Sequence, residues 1–118
     1  MNYDRGQSLI SKYVWVIETI YRAGKISFKE LNERWLDDEI SRGVEIPKRT
    51  FDNWRYVIWD MFGIDIVNEN RGEYRYYIGN VEDISKNGLR SWLYNTFCVR
   101  KEIAGKIKRM WNKYKEDK

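Results

Sequence analysis

The residues with most chemistry to offer lie close together. Lys48, Arg49 and Thr50 follow directly on the only proline, Pro47. Proline is tolerated in a first helical turn because its missing N–H would be unpaired there anyway. The pattern predicts a helix over Pro47–Met61, and a helix start carrying cations attracts phosphates. Asp52, Asn53 and Tyr56 then fall at outward positions. In the major groove of DNA, Asn pairs bidentately with adenine and Arg with guanine. Arg71 sits in the turn Glu69-Asn70-Arg71-Gly72, where it could reach a phosphate or the minor groove. Lys48, Arg49, Thr50, Asn53, Tyr56 and Arg71 are therefore the expected contacts to double-stranded DNA.

These side chains need a frame, and the hydrophobic pattern supplies one. Leu9, Tyr13, Val16, Ile17 and Ile20 recur at three- and four-residue spacing within Gly6–Arg22, one face of a first helix. Gly24 is suited to end it. Lys25-Ile26 reads as a very short strand. Ser27 and Glu30 make a capping box for a second helix running to about Leu36, with Phe28, Leu31 and Trp35 inward. Asp37–Ile46 is polar and reads as a loop. Phe51, Trp54, Ile58, Met61 and Phe62 form the inward stripe of the third helix, which Gly63 ends.

Ile64–Val67 and Glu73–Ile78 alternate as strands of a hairpin, with Tyr74, Tyr76 and Ile78 on one side. Gly79–Asn87 reads as a polar connection, Leu89–Val99 as a fourth helix and residues 100–115 as a basic fifth. Helix, short strand, helix, helix, hairpin is the order of a winged helix-turn-helix. The fold class expected is mainly α with a small β-hairpin, in which helix 47–61 enters the major groove and hairpin 64–78 is the wing. The division expected is a DNA-binding domain over residues 1–80 and a C-terminal helical extension over 81–118.

Three segments carry a resemblance. They are "RTFDNWRYVIWDMFGIDIVNENRGEYRYYI" (Arg49–Ile78), "YVWVIETIYRAGKISFKELNERWL" (Tyr13–Leu36) and "LRSWLYNTF" (Leu89–Phe97). Together they resemble the N-terminal winged helix of bacterial, Bacteroidetes-type WYL-domain transcriptional regulators. The motifs are Arg-Thr-Phe opening the helix, Phe-Gly-Ile after it, and an Arg-Gly-X-Tyr wing. The resemblance covers about residues 9–98 and does not reach the sensory WYL barrel, so it implies no effector site. It implies a DNA-binding transcription factor, usually dimeric, with Arg49, Thr50 and Asn53 on the recognition helix and Arg71 on the wing. One departure is the long stretch between the second and third helices.

Composition narrows the alternatives. There is no His, which excludes His-based catalytic triads and His-containing zinc sites. Cys98 is the only Cys, which excludes an intramolecular disulfide and a four-cysteine metal centre; it is expected to be a packed or interfacial thiol. No enzyme activity, cofactor, metal or small-molecule ligand is expected. The longest apolar run, Tyr13–Ile17, is far too short to span a bilayer, and the N-terminus has no signal-peptide pattern, so a cytoplasmic protein is expected. Asp37, Asp38 and Glu39 are expected to be a solvated helix end, the hairpin tyrosines cross-strand packing partners, and Arg55 to lie toward Asp52 or Trp59.

Net charge is +4. Residues 100–118 hold eight basic and three acidic side chains, so the whole excess belongs to the tail. Ile103, Ile107, Met110 and Tyr114 follow a coiled-coil spacing, which predicts a homodimer or packing segment. The functional expectation is a sequence-specific double-stranded DNA-binding transcriptional regulator. The alternative is a winged-helix protein-interaction module that titrates or modulates a full-length regulator.

Overall fold

Buried apolar faces and their terminators set the element order. The computed structural model describes residues 2–85, 88–93 and 95. Helix α1 (Asn2–Ala23) buries Tyr13, Val16, Ile17 and Ile20. Leu9, expected on that face, is instead 37% exposed. Gly24, at φ 78°, closes the helix, its N–H donating to the Ile20 carbonyl at 3.0 Å.

Helix α2 (Phe28–Asp37) starts at Ser27, whose hydroxyl accepts from the Glu30 N–H at 3.1 Å. The Glu30 carboxylate meets the Ser27 hydroxyl at 3.3 Å. The polar stretch that follows is not structureless. Asp38 accepts from the Ile40 N–H at 3.0 Å and so caps a 3-10 turn, Glu39–Ser41. Its other oxygen accepts from the Trp15 indole N–H at 3.0 Å. One member of the acidic cluster thus fastens the turn to α1.

Helix α3 spans Lys48–Phe62, with Pro47 as its N-cap and Gly63 (φ 65°) at its end. The boundaries are one residue later than the pattern suggests, because Pro47 is extended (φ −63°, ψ 146°). Strands β1 (Ile66–Asn68) and β2 (Tyr76–Ile78) pair antiparallel, with Ile66 opposite Ile78 and Asn68 opposite Tyr76. Ile26 bridges the other side of β2: its N–H donates to the Tyr76 carbonyl at 3.0 Å, and the Tyr76 N–H donates back at 2.7 Å. The short strand read at Lys25-Ile26 is therefore present as a single bridge. The hairpin is shorter than the alternation suggests. Tyr74 has φ 53° and is 60% exposed, so it leaves the face shared by Tyr76 and Ile78. Its N–H donates to the Arg71 carbonyl and its carbonyl accepts from Asn68 Nδ2, so the turn wins over strand propensity.

The polar connection after Gly79 contains a short helix, α4 (Val81–Ser85). Its Ile84 is fully buried, and residues 89–93 are helical again, with Leu93 buried. The Trp92 indole N–H donates to the Phe62 carbonyl at 2.8 Å, tying this segment to the end of α3. Ile84 and Leu93 thus belong to the same core as α1–α3. The whole is mainly helical with a small two-stranded antiparallel sheet.

The core is aromatic-rich. Trp54 meets both Tyr13 and Trp35 edge-on, each pair with centroids 5.9 Å apart, and Phe51 meets Tyr76 edge-on at 4.9 Å. Such pairs add about 0.5–1.5 kcal/mol each beyond the area they bury. They lock α3 against α1, α2 and the hairpin. Among the described residues, no helix is long and apolar enough to cross a membrane. Apart from Asn95, which is helical, the rest of the fourth helix read over Leu89–Val99 lies outside the described residues, as do Cys98, the basic fifth helix and the coiled-coil spacing.

Candidate nucleic-acid interface

The site begins with how α3 is started and held. The ten residues of Asp38–Pro47 must be fastened to fix the helix start. Asn32, on α2 and buried, does this. Its Nδ2 donates to the Ile46 carbonyl at 3.0 Å, and its Oδ1 accepts from the Ile46 N–H at 2.8 Å. The Trp35 indole donates to the Val44 carbonyl at 2.8 Å. Pro47 supplies no side-chain cap, so the first turn of α3 opens without one.

The outward face of α3 follows from helical spacing. Arg49, Asn53 and Tyr56 lie four and three residues apart and are all exposed, Tyr56 at 72%. Trp59 is exposed as well, at 54%. Thr50 is half-buried and turned away from this stripe. It lines a cleft of about 200 Å³ with Pro47, Glu45 and Trp54. Of the six expected contacts, Arg49, Asn53 and Tyr56 share a stripe, Arg71 lies exposed in the hairpin turn, and Thr50 is set apart.

Lys48 is exposed but engaged. Its ammonium meets both Asp52 oxygens, at 2.7 and 2.8 Å. Arg55 reaches the same carboxylate with Nη1 at 3.2 Å, and donates to the Ile66 carbonyl with Nε at 3.1 Å and Nη2 at 3.0 Å. Its guanidinium lies 4.9 Å from the Tyr76 ring centre. Arg55 thus fastens the hairpin to α3, a larger role than the expected lean toward Asp52. Burial alone would raise the Asp52 pKa, but hydrogen bonds and charge from Lys48 and Arg55 outweigh it and hold the carboxyl below its usual range. Burial likewise pulls Lys48 down, and its contacts with Asp52 and Tyr76 outweigh that and hold it above its usual range.

A second triad braces the hairpin. Glu69 pairs with Lys25 at 2.8 Å and with Arg75 at 3.3 Å. Lys25 is the first cause, and Arg75 adds to it against opposing desolvation, so the Glu69 carboxyl is pushed down to about 2. Four of the cations near α3 and the hairpin are therefore committed to carboxylates. Arg49, Arg71 and Lys29 are exposed, with no ion pair among the described residues.

Between α3, the start of α2 and the hairpin lies an open cleft of about 540 Å³. Lys29, Lys48, Asp52, Arg55, Asn70 and Tyr74 are among its lining residues. Among the described residues, no three His, Cys, Asp or Glu side chains group as metal ligands. The pattern of types singles out Arg49 and Asn53 but not Asn32, whose burial depends on a loop folding back over it. Compared with protein-family models, curated proteins and solved structures, the chain shows no match.

Proposed function

We propose that this protein is a winged helix-turn-helix regulator that binds specific sites in double-stranded DNA. In this reading α3 is the recognition helix and lies in the major groove. Arg49 and Asn53 address base edges, and Tyr56 reaches along the same stripe. Lys48 and Thr50 serve the backbone near the helix start, and Arg71 on the wing reaches backbone or minor groove. The protein acts in the cytoplasm as a homodimer, through the spacing seen at Ile103, Ile107, Met110 and Tyr114. It is not an enzyme.

The observation that carries the reading is the exposed stripe Arg49–Asn53–Tyr56 beside a hairpin fastened to the same helix by Arg55. A stripe of this kind, rigidly held, is what reading a groove requires, because base contacts discriminate only when the helix is fixed on the duplex. The charge pattern fits specific rather than indiscriminate binding. Four cations beside α3 and the hairpin are paired internally and the net positive charge lies in residues 100–118, so bulk phosphate attraction falls mainly to the tail.

The test is capture of genomic fragments by the purified full chain at near-physiological salt, followed by sequencing. Enrichment of a palindromic site is expected. A flat profile contradicts the reading. A second reading is favoured by one observation, the exposure of Tyr56 and Trp59 on the same helix. Exposed aromatics are enriched at protein interfaces, and this suits a module that modulates a full-length regulator. Absence of DNA binding even at low salt would favour it.

A further inference from the structure

Asp52 poses a problem for any DNA-facing helix. A carboxylate one turn from the helix start is repelled by phosphates unless its charge is covered. Here it is covered twice, by Lys48 at 2.7 Å and Arg55 at 3.2 Å, so the three side chains together are net cationic.

The same contacts fix the orientation of the carboxylate. Arg55 is itself immobilised by the Ile66 carbonyl and the Tyr76 ring. A carboxylate offers about four lone-pair positions. Oδ1 receives Lys48 and Arg55, and Oδ2 receives Lys48. At least one acceptor position on Oδ2 is left over, and the side chain is 47% exposed. It borders the open cleft between α3 and the hairpin. This is a pre-oriented acceptor with no donor capacity.

We propose that Asp52 is a specificity-determining residue that accepts a hydrogen bond from the exocyclic amine of a cytosine in the major groove. This rests on the DNA-binding reading above. The major-groove edges explain the choice. Cytosine presents an N4 amine, guanine two acceptors, and thymine an acceptor and a methyl group. Adenine sets its N7 lone pair beside its amine, which an acceptor-only side chain tolerates poorly. Lys48 and Arg55 are positioning residues for this contact. In this account Lys48 serves the site through Asp52 as well as at the backbone.

The experiment is selection from a random duplex library by the full chain, at fixed near-physiological salt. Wild-type, Asp52→Ala and Asp52→Asn proteins are compared, with a thermal melt of each. Wild type is expected to enrich cytosine at one position of each half-site. Asp52→Ala should relax that position alone by on the order of tenfold while melting near the wild-type temperature. Asp52→Asn, which gains a donor, should move the preference there toward adenine. Unchanged preferences in both variants, or a uniform gain in affinity across all sequences, would overturn the proposal and leave the DNA-binding reading standing. A wild-type protein with no sequence preference would overturn both.

Discussion

Replacing Asn32 with Ala should cost far more than its polar character suggests. The side chain makes two hydrogen bonds, both to the backbone of Ile46, at 3.0 and 2.8 Å. Ile46 is itself only 2% exposed. Truncation leaves its N–H and C=O without their partner in a place water reaches poorly. Each buried group left unsatisfied costs about 1–3 kcal/mol, and local relaxation recovers part of this, so about 2–4 kcal/mol is expected. Urea unfolding followed by tryptophan fluorescence reads the change as a lower midpoint at constant slope. Asn32→Asp keeps the acceptor for the Ile46 N–H but sets a carboxylate against the Ile46 carbonyl. It should be at least as damaging at neutral pH. A loss below about 0.5 kcal/mol for Asn32→Ala, the range of ordinary surface changes, would refute the claim that Asn32 fixes the start of α3.

Two further predictions concern the hairpin. The Glu69 carboxyl is lowered to about 2 by Lys25 and Arg75, so it favours the folded state wherever it is ionised. That stabilisation is complete above the usual carboxyl value of 4.5 and is lost as pH falls from there to about 2. Thermal melts across that range should show Glu69→Gln less sensitive to acid than wild type; identical acid slopes would contradict this. At Gly79 an added Cβ would lie 2.9 Å from Val67 Cγ2 and 3.3 Å from Asp65 Oδ2. Valine cannot swing aside easily, so Gly79→Ala should destabilise by about 1–3 kcal/mol, read from the same urea titration; an unchanged midpoint would contradict it.

What the sequence made legible follows physical range. Tyr13, Val16, Ile17 and Ile20 recur at helical spacing and are all buried, because burial on one side of a helix is a local periodic property. Gly63 after α3 and Ser27 before α2 were readable for the same reason: each acts on its immediate neighbours. Tyr74 escaped the reading because its position depends on Asn68, six residues away, donating to its carbonyl. Helix α4 is only five residues long and shows no period to read, yet Ile84 anchors it in the core. Exposure of Arg49, Asn53 and Tyr56 was legible from α3 alone. Thr50 lies four residues before the buried Trp54, so its turning aside also follows from helical phase; the pinning of Arg55 by Ile66 does not, since it depends on a strand that arrives from elsewhere in the chain.

The central claim is that α3 reads DNA sequence through Arg49 and Asn53. Its most direct measurement is the ratio of affinities for a selected site and an unrelated duplex, at fixed salt, in wild type, Arg49→Ala and Asn53→Ala. Both residues are exposed, and Asn53 has no intramolecular hydrogen bond among the described residues, so neither change should disturb the fold. Each should weaken the selected site by about 1–3 kcal/mol and leave the unrelated duplex far less affected. Selected-site affinities unchanged in both variants, or an equal loss on both duplexes, would contradict the assignment of α3 as the reading helix.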